Sequence, residues 1–183
     1  LMEAKSLSFD ELLTRTSLEK ETLMQELESH DFVLYNGKEY TLRALVDVIE
    51  EELYNILRDF HTSSPMKKGL NKAELLQTLS KTYPITVIDF SIDEGVKKDT
   101  FNREGQFISI VDFEPHVPNN WRTRTVNMLA KLKEDQMQVK YFKDYLTDAG
   151  IPDKIAADLK KFLEEQGDIV ALDDQYYWHG EVF

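Results

Sequence analysis

Phe60 to Leu76 reads FHTSSPMKKGLNKAELL, and the way this stretch folds decides the architecture of the chain. Upstream of it Leu45, Val48, Ile49, Leu53, Ile56, Leu57 and Phe60 form the apolar stripe of an amphipathic helix from about Leu42 to Phe60. Downstream, LNKAELLQTLS opens a second helix, with Asn71 at the N-cap position and Glu74 three residues on. Ser63, Ser64 and Pro65 break the first helix, and Gly69 precedes the second. The stretch therefore reads as the connector of a helix-turn-helix pair, and Lys67-Lys68 as solvated loop residues rather than a phosphate grip.

Working outward, three turns recur at a spacing of roughly 68 residues: Asn36-Gly37 in FVLYNGKEYTL, Glu104-Gly105 in DTFNREGQFISIV, and Asp173-Asp174 in DIVALDDQYYWH. Asn-Gly between alternating apolar residues predicts a tight hairpin, because both turn positions take positive φ. Helices precede each hairpin. Ser8 with Glu11, and Thr16 with Glu19, have capping-box spacing, and Leu18, Leu23, Met24 and Leu27 keep to one stripe. Later, Val126, Leu129 and Leu132 share a face, KYFKDYLTDAG reads as a short helix, and DKIAADLKKFLEEQ runs from Pro152 to a left-handed cap at Gly167. PITVIDFSIDEG has the β-branched content of a strand but reads as a helix by analogy with its counterparts. Helices followed by a hairpin describe winged-helix units. The expected fold is mainly α with small β-hairpins, a tandem array of three winged-helix domains at 1–43, 44–117 and 118–183. The long helix joins the first to the second.

Composition narrows function. The 183 residues carry no cysteine, which excludes disulfides, thiolate metal sites and cysteine nucleophiles and fits a reducing, cytoplasmic setting. No apolar run is long enough to span a bilayer, and the start has no signal-peptide pattern. His30, His61, His116 and His179 are scattered, so no metal site is expected, and no nucleophile-and-base constellation marks an enzyme. With 34 acidic against 22 basic residues, a large nucleic-acid footprint is disfavoured. The helices that would read DNA are acidic or balanced. The first carries Glu19, Glu21, Glu26 and Glu28, and the second Asp89, Asp93 and Glu94; the third sets Lys154, Lys160 and Lys161 against Asp153, Asp158, Glu164 and Glu165. DNA binding is not expected. The densest cationic run is Arg122, Arg124, Lys131, Lys133, Lys140 and Lys143, near Trp121 and Tyr141. Cations beside aromatic planes suit single-stranded RNA, and a solvated face beside core aromatics is the plainer reading.

The stretch LRDFHTSSPMKKGLNKAELLQTL resembles the second winged helix in the C-terminal region of bacterial selenocysteine-specific elongation factor, SelB, through Phe60, His61, Pro65, Gly69, Glu74 and Leu75. The ending LKKFLEEQGDIVALDDQYYWHGEVF is similar to the close of that family's third winged helix at Phe162, Gly167, Asp168, Val170, Tyr177, His179 and Val182. FDELLTRTSLEKETLMQELESHDFVLY fits the first unit in order and spacing. The resemblance implies part of a translation factor that delivers selenocysteinyl-tRNA to the ribosome. On that reading three winged helices link the GTPase body to a fourth winged helix that grips an mRNA hairpin. No GxxxxGK[ST] loop is present, so GTP is expected only elsewhere in such a factor, and no cofactor is expected here. A winged-helix protein-interaction scaffold, of the kind found in chromosome-condensation or sorting complexes, is the other reading the acidic helices allow.

Overall fold

The computed structural model describes residues 5–29 and 31–182. They divide into two compact units, Leu1–Phe60 with Gly69–Phe113, and His61–Lys68 with Glu114–Phe183.

The first unit begins with β1 (Leu7–Ser8), α1 (Phe9–Arg15), α2 (Lys20–Leu27), β2 (Phe32–Tyr35) and β3 (Glu39–Leu42). Ser8 caps α1 as its spacing predicts: its hydroxyl accepts from the Glu11 N–H, and the Glu11 carboxylate accepts from the Ser8 N–H at 2.8 Å. The second expected box does not form. Thr16 is the C-cap of α1, its N–H closing on the Leu12 carbonyl, and α2 starts only after Glu19, whose side chain makes no capping bond. Thr16 sits at the end of one helix instead of the start of the next. Leu23 and Leu27 are buried, whereas Leu18 and Met24 are exposed. Asn36 and Gly37 take φ of 47° and 73°, so the β2–β3 hairpin turns as Asn-Gly dictates.

β3 leads into α3 (Arg43–Ser63), whose Val46, Ile49, Leu53 and Leu57 are fully buried. Val48 is 45% exposed, so the buried stripe runs through Val46 instead. Next come β4 (Leu70–Asn71), α4 (Lys72–Leu79), α5 (Ile85–Lys97), β5 (Phe101–Glu104) and β6 (Phe107–Ile110). The Asn71 side chain accepts from the Ala73 N–H at 2.9 Å, which starts α4 as expected. α5 is helical in spite of its β-branched residues, because Val87, Ile88 and Ile92 complete the core around α3, and burial outweighs weak propensity. The two antiparallel sheets have the orders β1-β3-β2 and β4-β6-β5. In each, the short strand before a helix pair docks on the second strand of the hairpin that follows it.

The second unit contains α6 (Asn119–Asp135), α7 (Phe142–Asp148), α8 (Asp153–Gln166), β7 (Ile169–Ala171) and β8 (Tyr177–His179). One backbone bond, Phe142 N–H to the Gln175 carbonyl at 2.9 Å, stands where the other sheets have a short strand. α6 buries Thr125, Met128 and Leu132, with Leu129 packed beside them; of the expected face only Val126, 58% exposed, lies outside the core. Gly167 closes α8 with φ of 79°. Residues 61–68 also belong here: Met66 is buried with Met128, Leu132, Leu159 and Tyr177. The connector of the opening stretch is thus anchored in a core, which its polar sequence conceals. Among the described residues no helix is long and apolar enough to cross a membrane.

Candidate nucleic-acid interface

Charge is unevenly shared. The first unit holds 11 basic and 21 acidic residues, the second 11 and 13, so a polyanion meets far less repulsion at the second.

In the first unit the helix placed to read a groove, α5, pairs its carboxylates with cations of its own unit. Asp89 pairs with Lys72, and Asp93 lies 3.5 Å from Arg103 on β5. Glu94 lies 3.0 Å from Lys97 and 3.7 Å from Arg43, and the Lys97 hydrogen bond, aided by both cations, holds its carboxyl below the ordinary range. Cations that elsewhere meet phosphate here meet carboxylate.

The six cations singled out from the sequence all lie on α6, α7 and the segment between them, in varied circumstances. Arg124 donates to the Gly150 carbonyl at 2.6 Å, with its guanidinium 5.2 Å from the Trp121 ring. Lys131 reaches Glu134 at 3.2 Å and Asp135 at 3.6 Å. The hydrogen bond to Glu134, and then the charge of Asp135, raise its pKa. Lys133 pairs with Glu181, and its hydrogen bond and charge lower the Glu181 pKa. Lys140 pairs with Asp148 and lies 4.8 Å from the Tyr145 ring. Arg122 and Lys143 are exposed, with no carboxylate of the described residues in ion-pair range. Behind this row, the Tyr145 hydroxyl donates to Asp135 at 2.6 Å. Burial and that bond push the phenol up to about 12, and the Asp135 carboxyl is lowered chiefly by the same bond. The row is therefore a laced face whose lysines are largely neutralised, with free charge left at Arg122 and Lys143.

Lys67 and Lys68, read as solvated, reach Asp158 at 3.4 Å and Glu165 at 4.0 Å on α8. The apolar Met66 beside them is the signal that this loop docks. Tyr177 faces the core, while the Tyr176 ring meets that of Tyr141 at a tilt of 36°, with centroids 4.9 Å apart. A groove of about 510 Å³ opens among α7, α8 and the β7–β8 hairpin, lined by Tyr141, Phe142, Leu146, Ala156 and Ala157 among others. Its only trace in the sequence is Ala156-Ala157, two small side chains in a helix otherwise rich in long ones. His61 is buried, which pushes its pKa down, and His116 is exposed; His30 lies outside the described residues. Among the described residues no three His, Asp or Glu side chains gather as a metal would require.

Residues 54–110 match a protein family described as elongation factor SelB, winged helix. The match runs from the middle of α3 through α4 and α5 to the end of the β5–β6 hairpin, so this segment is similar to a SelB-type winged-helix region. No curated protein matches the chain.

Proposed function

We propose that the chain is part of the C-terminal extension of a selenocysteine-specific elongation factor and acts there as a spacer. Three winged helices in tandem separate a GTPase body from an element that grips the selenocysteine insertion hairpin. The observation that carries this reading is the match of residues 54–110 to the SelB winged helix. The recurrence of two helices and a hairpin on either side of that segment supports the tandem count. The carboxylate-lined face of α5 supports a spacer role, since a linker that ignores ribosomal RNA leaves recognition to its ends. The chain itself carries no catalysis and no GTP in this reading. Selenocysteinyl-tRNA and the ribosome are partners of the whole factor, in the cytoplasm, and DNA is not a partner. Arg122 and Lys143 supply at most a weak RNA contact, the other four cations of the row being engaged.

The test is a titration of a labelled selenocysteine insertion hairpin with this chain and with the longer factor, at low and moderate salt. Tight, salt-sensitive binding by the longer factor alone is the expected result. Equally tight binding by this chain would make it a recognition element, not a spacer. If neither binds, the elongation-factor reading fails and the protein-interaction scaffold replaces it.

A further inference from the structure

The groove of the second unit has features that an RNA site lacks. Its floor is apolar: the Phe142 and Tyr177 rings meet with centroids 4.9 Å apart, Leu146 is buried, and Ala156 and Ala157 leave the space above them empty. A volume of about 510 Å³ lies within the range of sites that bury a compact ligand. Tyr141 forms one lip and is 48% exposed, a large apolar surface at the mouth of the opening.

Charge selects the occupant. Asp144 on α7, Asp153 on α8 and Asp174 on the hairpin turn line the groove, and no cation of the described residues is in ion-pair range of them. Two lysines share the lining. Lys160 is turned onto the Tyr177 ring at 4.7 Å, so its stem serves as wall, and Lys143 is exposed. Three carboxylates against two ammonium groups leave the site with a negative balance, which repels phosphate and attracts a cationic partner. Of the six-cation row only Lys143 lines the groove, and it is already in that balance; four of the others are engaged elsewhere.

We propose that this groove docks a short segment of a partner protein in which one bulky apolar side chain is flanked by Arg or Lys. The apolar residue fills the space above Ala156 and Ala157, and the flanking cations meet Asp153 and Asp174 at the rim. The proposal goes beyond the spacer reading and does not depend on it.

The test uses the whole chain, isotope-labelled, and the capped peptide Gly-Arg-Lys-Trp-Lys-Arg-Gly as probe. Controls are a peptide with Ala for Trp, one with Glu for every Arg and Lys, and single-stranded oligouridylate. Amide shifts confined to α7, α8 and residues 171–177 are expected. Affinity should fall about fivefold for the Ala peptide and about fivefold for the pair Asp153→Asn with Asp174→Asn. Ala157→Trp, which fills the groove, should abolish the shifts. If that variant does not fold, the exposed aspartate pair carries the test alone. Scattered shifts, equal binding of the acidic peptide, or no response to the aspartate pair would overturn the proposal. Saturable shifts of the same amides by oligouridylate would also overturn it and assign the groove to RNA.

Discussion

Replacing Gly69 with alanine would put a Cβ 2.3 Å from the Ile108 carbonyl oxygen and 2.8 Å from its carbonyl carbon. Ordinary carbon–oxygen contacts lie near 3.3 Å, so roughly 1 Å of separation must be found. β6 cannot supply it, since it is paired on both sides, with β4 and with β5, and Ile108 is fully buried. The cheaper route is release of β4, which loses the Leu70–Ile108 and Asn71–Phe107 pairings. Two ladder bonds at about 1 kcal/mol each, plus about 1 kcal/mol for exposing more of the half-buried Leu70, are offset by about 0.5 kcal/mol of lost unfolded-state freedom. The net cost is about 2.5 kcal/mol. Gly37→Ala is the contrast: its Cβ meets nothing within 4 Å, but φ is +73°, so backbone strain alone costs about 1 kcal/mol. Urea denaturation gives the totals, and residue-resolved amide exchange shows whether Asn71 and Lys72 open first. A Gly69→Ala unfolding free energy within about 0.5 kcal/mol of the parent, with exchange at Lys72 unchanged, would refute the close-approach argument.

Leu53→Ala, at a fully buried position of α3, should cost about 3 kcal/mol, whereas Val126→Ala, more than half exposed, should change the unfolding free energy from urea denaturation by less than about 0.5 kcal/mol. Ser8→Ala removes the capping box and should cost about 1 kcal/mol, read as faster exchange of the Glu11 amide; Thr16→Ala should leave that amide unchanged. Tyr145 is protonated more tightly in the folded chain than in the unfolded one, so its contribution is complete below the ordinary tyrosine range and is lost as pH rises from about 10 through about 12. Tyr35, Tyr83 and Tyr176 are also held above the ordinary value, so a spectroscopic titration should show several late phenols; Tyr145→Phe should remove the latest phase and the alkaline loss of thermal stability of the second unit. Asp135 has the opposite sign: its stabilisation is present above the ordinary aspartate range and is lost as pH falls through its lowered pKa, which Tyr145→Phe should bring back up.

Local signals were legible wherever the chain solves its problem locally. Ser8 with Glu11, Asn36-Gly37, Asn71 and Gly167 each depend on neighbours within a few residues, and each forms what its spacing states. Where two local solutions compete, packing chooses. Thr16 has the chemistry of a cap for either helix, and it closes α1 because α2 begins farther along the chain. Val48 and Val126 fit a helical stripe as well as Val46 and Met128 do, and the rotation of each helix against its neighbours decides which is buried. The candidate site was less legible. A run of cations can be read from sequence, but Glu181 lies 48 positions from Lys133 and Gly150 26 from Arg124, so the run's neutralisation is a tertiary fact. The groove is hidden for the same reason, since it is a space among three elements and only Ala156-Ala157 hints at it.

The arrangement of charge also fixes how strongly the chain alone can respond to salt. Binding to a polyanion weakens with salt in proportion to the number of phosphates neutralised, about 0.9 in log–log slope for each. Exposed ion pairs are individually weak, so breaking one to free a lysine costs little; the consequence lies with the carboxylate left behind, which sits well within a screening length of about 8 Å and cancels the freed charge. Lys72, Arg103, Lys131, Lys133 and Lys140 all carry such a companion. In the second unit Arg122, Arg124, Lys143, Lys154 and Lys160 have no described carboxylate in ion-pair range, and they bound that unit's count. Any RNA affinity that the second unit gives this chain should therefore show a slope no steeper than about 4.5. The measurement is a fluorescence titration of the insertion hairpin across a tenfold range of salt. A steeper slope would mean that the paired lysines exchange carboxylate for phosphate, and the laced face would then have to be counted as an RNA surface.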